Sequence, residues 1–335
     1  MRALLIVNPH ATSTTRPRRD LIVRALASAV DLEVVETRYR GEATRLAASA
    51  AAEKFGLVMT LGGDGTVNEA VNGLLTPADG LPPAPAAALP AMAAIPGGNA
   101  NVFARSLRLP EDPVDATARL IQDLAEHRER CIGLGTANGR FFTFNAGLGL
   151  DAEVVRAVEG RRALGRALTP ALFTRMALRQ YYRITDRRRP AITISRPAEL
   201  SAEAVFNCIV SNSAPWTYLG RRAVNTNPDA DFDTGLDLFV LRSLSTPSTL
   251  RTLRQMLSDR RADRGEPPRG TGVLTRHDLD EITLEADRPV AFQVDGEYMG
   301  ETERVEFRAV PAALRVIGLP VARSGGDWRG ARLMQ

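Results

Sequence analysis

Short apolar runs alternate with helical segments from Ala3 to His127, and that alternation constrains the fold more than any other feature of the chain. Ala3–Val7, Leu32–Thr37, Leu57–Leu61 and Met92–Ile95 read as strands. Arg18–Val30, Glu42–Lys54, Thr66–Leu75 and Asp115–His127 read as the helices that separate and follow them. Strands that are apolar on both faces must be covered on both faces, which calls for a parallel sheet with helices on either side. The expected fold is therefore α/β, with an N-terminal Rossmann-like doubly wound parallel sheet. In such sheets the ligand lies at the carboxyl ends of the strands.

From about Arg130 the texture changes. Strand-like runs dominate: Arg140–Asn145, Ala191–Ser195, Val205–Ser211, Leu236–Leu241, Glu281–Glu285, Val290–Val294 and Arg304–Arg308. Turn residues separate them, so the expectation is a second, antiparallel β-sandwich domain. Two helical insertions interrupt it, near Glu153–Thr185 and Thr246–Asp259. The division is residues 1–129, then 130–311, with 323–335 a flexible tail. A length of 335 residues fits two domains. The two cysteines, Cys131 and Cys208, imply no disulfide framework and are expected as reduced core residues. No apolar run approaches the ~20 residues of a membrane span, and Ala3–Val7 is too short for a signal peptide. The reading is a cytoplasmic protein.

Net charge is only +4, but its make-up is informative, because Lys54 is the single lysine. A P-loop needs a lysine after its glycine turn and a protein kinase needs one on its third strand. Lys54 has neither setting. If the chain handles a nucleotide, backbone amides, arginines and a metal must hold the phosphates.

The strongest motif is Leu61-Gly62-Gly63-Asp64-Gly65-Thr66-Val67-Asn68-Glu69, at a strand-to-helix junction. A helix start offers free N–H groups and the positive end of the helix dipole to phosphate. Asp64 inside such a site would repel phosphate unless it served a metal ion or took a proton. A second turn, Pro96-Gly97-Gly98-Asn99-Ala100-Asn101, repeats the logic and could face the first across a nucleotide. Asn8-Pro9, the polar run Thr12–Thr15 and Thr37 fall at the same sheet edge, where turn chemistry is their simpler reading. Late in the chain, Phe292-Gln293-Val294-Asp295-Gly296-Glu297 leads a strand into an Asp-Gly turn with two carboxylates. A hairpin turn is its simpler reading.

Taken in order, Asn8-Pro9, Gly62 to Asn68, Pro96 to Arg105, Phe144 to Ala152, Pro228 to Gly235 and Asp295-Gly296-Glu297 resemble the diacylglycerol kinase catalytic family. That family includes bacterial lipid kinases and the sphingosine and ceramide kinases. The glycine loop alone is shared with the wider superfamily of NAD kinases and phosphofructokinases. The resemblance implies ATP and Mg²⁺ in a cleft between two domains, with residues 312–322 returning to the first. It implies nucleotide contacts from Asn8, Thr37, Gly62, Gly63, Asp64, Gly65, Thr66, Asn68, Gly98 and Asn99. It implies Glu297 or Asp64 as the base, and Asp64, Asp295 and Glu297 around a catalytic magnesium. Asp151 would lie near the lipid headgroup. A structural magnesium is implied at Asp231, Thr234 and Leu236, with Thr234 standing where the family often has aspartate. Gly133 stands where some bacterial members carry an active-site aspartate, and Asn99 where the family often has threonine.

Between Arg156 and Arg189 lie ten arginines against Glu159 and Asp186. Thr169-Pro170 is a helix start. From there Arg175, Arg179, Arg183 and Arg187 recur every four residues beside an apolar row of Leu164, Leu168, Leu172 and Met176. A basic amphipathic helix with Tyr181 and Tyr182 nearby suits an anionic membrane surface, at roughly 1 kcal/mol per basic residue. A helix packed on the sandwich with a solvated arginine face is the alternative. The expected partner is a lipid at the inner face of the membrane, with a homodimer left open. Two rival functions remain: a kinase for a soluble acceptor such as NAD, and a nucleic-acid-binding protein suggested by a pI near 9.5. No DNA-reading motif supports the second.

Overall fold

The structure is a computed structural model that describes residues 1–11, 14–76, 84–162, 175–177, 179–184, 188–196 and 202–318. Its first lobe is the expected doubly wound sheet. Strands β1 (Arg2–Val7), β2 (Asp31–Glu36), β3 (Leu57–Gly62) and β4 (Ala91–Pro96) are parallel, in the order β4-β3-β1-β2. The order reverses between β1 and β3, which places the switch-point crevice at the ends of those two strands. Helices α1 (Arg16–Ala27), α2 (Glu42–Ala52), α3 (Asp64–Leu75), α4 (Val102–Ser106) and α5 (Pro113–Ala125) connect them. Helix α1 packs with α5 and α2 with α3. Right-handed crossovers put these pairs on opposite faces. The core is aliphatic, with Leu5, Ile6, Leu57, Met59, Leu61 and Phe103 fully buried.

Helix α5 begins two residues before the sequence reading. Asp112 accepts from the N–H of Val114 at 2.8 Å and Pro113 opens the helix, a cap the sequence carried openly. Helices α2 and α3 meet at Gly73, where an added Cβ would strike the Thr44 carbonyl. Glu69 closes the same contact by accepting from the N–H groups of Gly41 (2.8 Å) and Ala43 (3.2 Å), so it caps α2. Gly73→Ala is expected to cost about 1–3 kcal/mol through overpacking. Denaturant midpoints would show it, and an unchanged midpoint would contradict this packing.

The second lobe comprises β5 (Glu129–Ala137), β6 (Arg140–Phe142), β7 (Asn145–Gly149), β8 (Ile192–Arg196), β9 (Ala202–Val205), β10 (Asn207–Ser211), β13 (Leu236–Leu241), β14 (Val273–Leu279), β15 (Glu281–Val294) and β16 (Glu297–Ile317). A small hairpin, β11 (Thr217–Leu219) with β12 (Arg222–Val224), stands apart. All pairings in this lobe are antiparallel, around a core that includes Phe142, Leu148, Leu238, Leu284 and Phe307. Helix α6 (Leu150–Arg162) follows β7, and α7 (Thr246–Met256) and α8 (Asp259–Ala262) follow β13.

Some expectations change. The runs Glu281–Glu285 and Val290–Val294 are one strand, β15, with a register shift between them. Strand β16 starts at Glu297, pairs with β15, then ends with Val316 parallel to Met92 of β4. Cys208 is buried, but Cys131 is exposed, because it precedes the point on β5 where burial begins. Thr12 and Ser13, residues 319–335 and much of the basic insertion, including Leu164, Leu168, Thr169-Pro170, Leu172 and Arg187, lie outside the described residues. Met176, the described member of the apolar row, is buried against Val154 and Val158 of α6. Gln180–Ile184 forms a π-helical turn. No helix of the described residues is long and apolar enough to cross a membrane.

Candidate active site

The two glycine turns sit side by side at the carboxyl ends of β3 and β4. Gly97 N–H donates to the Gly62 carbonyl at 2.7 Å. A Cβ on Gly98 would stand 2.6 Å from Gly63 Cα, and one on Gly97 3.0 Å from Gly62 Cα. The turns therefore touch, and no nucleotide fits between them as the sequence reading expected. The first of the two turns opens α3. There Thr66 and Val67 N–H bond the Gly63 carbonyl, at 3.0 and 3.2 Å. The amides of Asp64 and Gly65 precede that first helical bond and stay outside the α3 ladder, the Asp64 N–H facing its own carboxyl.

Asn8 reaches the same corner from β1, its Nδ2 donating to Thr66 Oγ1 at 3.3 Å. Thr37 follows β2, its N–H on the Val7 carbonyl at 2.8 Å. Thr14 Oγ1 is buried with no partner. Asn99 is exposed on the second turn. Asp64 Oδ1 accepts from Phe103 N–H at 3.1 Å, tying the first turn to α4. Asp64 is half-buried. Burial pushes its carboxyl up to about 6, against the backbone N–H groups of Phe103 and Val102 that favour the charged form.

Glu297 arrives from the second lobe. Its carboxylate lies against Gly65, where any Cβ would strike it, and Oε2 pairs with Arg40 at 3.1 Å. Gly65 thus leaves room for a side chain from the other lobe. The expected pair, Asp64 and Glu297, is brought to one helix start. Arg40, which the sequence reading did not single out, joins the lobes across 257 residues of sequence.

Asp295 does not fit a magnesium ligand. Its two oxygens accept five hydrogen bonds: from Asn68 Nδ2 (2.7 Å), Thr143 N–H (2.8 Å) and Oγ1 (2.9 Å), Phe144 N–H (3.0 Å) and Asn145 N–H (3.2 Å). The carboxylate is a buried joint between α3, β7 and the β15–β16 turn. Asn68 likewise is turned inward, its amide shared among Asp295, Phe141, Asn72 and Arg140, so it is not presented to a nucleotide. Among the described residues, no three His, Cys, Asp or Glu side chains gather as a metal site. That holds for the implied structural site too. Thr234 Oγ1 donates to the Asp231 carbonyl at 3.0 Å, Arg130 grips Asp233 at 3.0 and 3.3 Å, and Leu236 is buried at the start of β13. The Arg130 guanidinium and the Thr234 hydroxyl hold this loop. Gly133 lies beneath it, its N–H on the Phe232 carbonyl at 2.8 Å.

Asp151 opens α6 behind the Glu297 turn. Gln293 joins the two: its Nε2 donates to Asp151 Oδ2 at 3.1 Å and to Asn145 Oδ1 at 2.8 Å, and its Oε1 accepts from Gly296 N–H at 2.9 Å. Asp151 Oδ1 is buried with no partner. Burial raises the Asp151 carboxyl to about 7, with Gln293 pulling the other way. Further along α6, Arg156 pairs with Glu301 at 2.8 Å and Glu159 accepts from Tyr298 N–H at 3.3 Å.

These raised values have a stability consequence. Asp64 and Asp151 hold a proton in the folded state at pH where the unfolded chain has lost it. The folded state then binds more protons between the ordinary carboxylate range and about pH 6–7, so stability falls as pH rises through that window. One such proton is worth about 1.4 kcal/mol per pH unit within it. Asp151→Asn should flatten the slope of melting temperature against pH between about 4 and 7. An unchanged slope would refute the shift.

The class defined by fold and site is a two-lobed protein, with an anion-ready helix start in an α/β lobe facing a carboxylate from a β-sandwich lobe. Residues 2–137 match the diacylglycerol kinase catalytic domain, and residues 145–318 match the YegS C-terminal NAD kinase beta sandwich-like domain. A diacylglycerol kinase of Bacillus subtilis (strain 168) is 27% identical over 280 residues, 79% of this chain and 78% of that one. A probable lipid kinase, YegS-like, of Chromohalobacter salexigens is 32% identical over 149 residues, 44% of each chain. The fold superposes on a crystal structure of a diacylglycerol kinase from Bacillus anthracis str. Sterne with a TM-score of 0.66. That match covers 95% of this chain and 97% of the other at 21% identity, which speaks to fold alone. The chain belongs to the diacylglycerol kinase family of lipid kinases.

Proposed function

We propose that the chain transfers the γ-phosphate of ATP to the hydroxyl of a membrane lipid, most simply diacylglycerol, giving phosphatidic acid and ADP. The observation that carries this reading is the Glu297 carboxylate lying on Gly65 at the start of α3, beside Asp64. Amides of Asp64 and Gly65 bind phosphate oxygens, and the α3 dipole favours their charge. Arg40 supplies the positive charge that a lysine provides elsewhere. Glu297 accepts the hydroxyl proton as the acceptor oxygen forms its bond to the γ-phosphorus. The bond from that phosphorus to the β–γ bridging oxygen breaks, and the electron pair leaves with ADP.

Asp64 and Glu297 also fit Mg²⁺, a hard cation usually held by one or two carboxylates plus phosphate oxygens and water. When bound, the ion neutralises phosphate charge. Asp151, reached through Gln293, lies on the acceptor side. The basic insertion from 156 to 189 would bring that side to an anionic bilayer, as a peripheral association.

Radiolabelled ATP incubated with a total lipid extract, and separately with NAD, tests the reading. A labelled lipid of phosphatidic acid mass is the expected product. Labelled NADP with no labelled lipid would replace the proposal with the soluble-acceptor one. Mobility retardation of DNA at low salt, with no phosphorylation, would favour the nucleic-acid alternative.

A further inference from the structure

Helix α7 carries two leucines on its outer side. Leu250 is 61% exposed and Leu253 42% exposed, while Thr252 and Met256 turn inward. Residues three apart are neighbours on a helix surface, so the two leucines form one apolar spot. Arg254 follows Leu250 by four residues and stands beside it, and Arg251 borders the spot further round. Arg260, Arg261 and Arg264 follow, against Asp259 and Asp263. Apolar residues flanked by arginine on one face of a helix mark an element that lies in a membrane interface.

The position of α7 gives the surface a purpose. Tyr181 Oη donates to the Leu244 carbonyl at 2.7 Å and lies 3.2 Å from Thr249 Oγ1, in the first turn of α7. The exposed Tyr182 ring packs edge-on against Tyr181, with centroids 4.8 Å apart. Gln180, the residue before Tyr181, donates to Glu153 of α6 at 2.9 Å, and Asp151 lies in the first turn of that helix. These contacts join the first turn of α7, through Tyr181 and Gln180, to the first turn of α6, where Asp151 sits.

We propose that α7 is a membrane-docking helix, seating Leu250 and Leu253 in an anionic bilayer while Arg251 and Arg254 meet its headgroups. It is separate from the basic insertion, and its placement beside the acceptor site rests on the lipid-kinase reading. The positive charge on this face commits the occupant to an anionic lipid surface.

Sedimentation with vesicles of phosphatidylcholine, with and without phosphatidylglycerol, tests it on the full chain. Leu250→Ser/Leu253→Ser and, separately, Arg251→Gln/Arg254→Gln should each weaken binding to the anionic vesicles about tenfold. Activity on a short-chain diacylglycerol in detergent micelles should stay at the wild-type level for both. Wild-type binding by the leucine variant would overturn the proposal. So would a change in oligomeric mass by light scattering with vesicle binding intact, which would assign the spot to a protein contact. Micelle turnover by the wild type reports on the kinase reading independently. Loss of that turnover with vesicle binding still dependent on the leucines would sink the kinase reading and spare the docking helix.

Discussion

Glu297→Gln should lower lipid phosphorylation by ~10²-fold or more, the usual scale for a positioned acid–base group. The substitution keeps the size of the side chain, so the contact with Gly65 survives while proton affinity is lost. Arg40 loses a charged partner, but that pair is largely solvent-facing on the arginine side and contributes little to stability. The melting curve should therefore hardly move, whereas kcat should collapse. Comparison with Asp64→Asn separates the two carboxylates. Asp64 is anchored by Phe103 N–H, which occupies one of its oxygens. Its replacement is expected to weaken nucleotide retention as well as turnover, a loss in both KM for ATP and kcat. If Glu297→Gln turned over at near the wild-type rate, the base would have to be Asp64.

The second large effect concerns stability. Asp295→Ala is expected to cost about 3–5 kcal/mol. Removing the carboxylate strands five donors, three of them backbone N–H groups of Thr143, Phe144 and Asn145. Each buried donor left without an acceptor costs about 1–3 kcal/mol, and local relaxation or entry of water recovers part of that. Asp295→Asn should cost less, since one amide oxygen still accepts. Equilibrium denaturation would measure both. A loss below about 1 kcal/mol for Asp295→Ala would mean that the joint is replaceable and that the carboxylate is kept for another purpose.

What was legible in the chain was local. The period of Ala3–Val7 and Leu57–Leu61 identifies buried parallel strands, and the Gly62–Thr66 junction identifies an anion-ready helix start, because neighbours in sequence decide both. The fate of Asp295 was not legible. Its partner Asn68 is 227 residues away and Phe144 is 151 away, so nothing beside the Asp-Gly turn distinguishes a metal ligand from a saturated joint. The partners of Arg40 and Gln293 are hidden for the same reason. The spacing of the two turns suggests a nucleotide between them. Gly97 and Gly98 are needed because the turns themselves touch. Cys131 shows the limit at short range: an apolar run predicts burial, but a strand emerging from the sheet buries only its later residues.

Strand β16 begins at the carboxylate that reaches into the cleft and ends hydrogen-bonded to the sheet on which the nucleotide would rest. The lobes are thus riveted by one uninterrupted backbone ribbon instead of swinging on a slack connector. Widening the gap between them must twist that ribbon, and the compliant point is the irregularity between Val310 and Leu314, where Ala312 adopts a left-handed φ of 48°. Any movement of one lobe against the other must then be a torsion of a shared sheet, and a substitution that stiffens that short stretch should resist it.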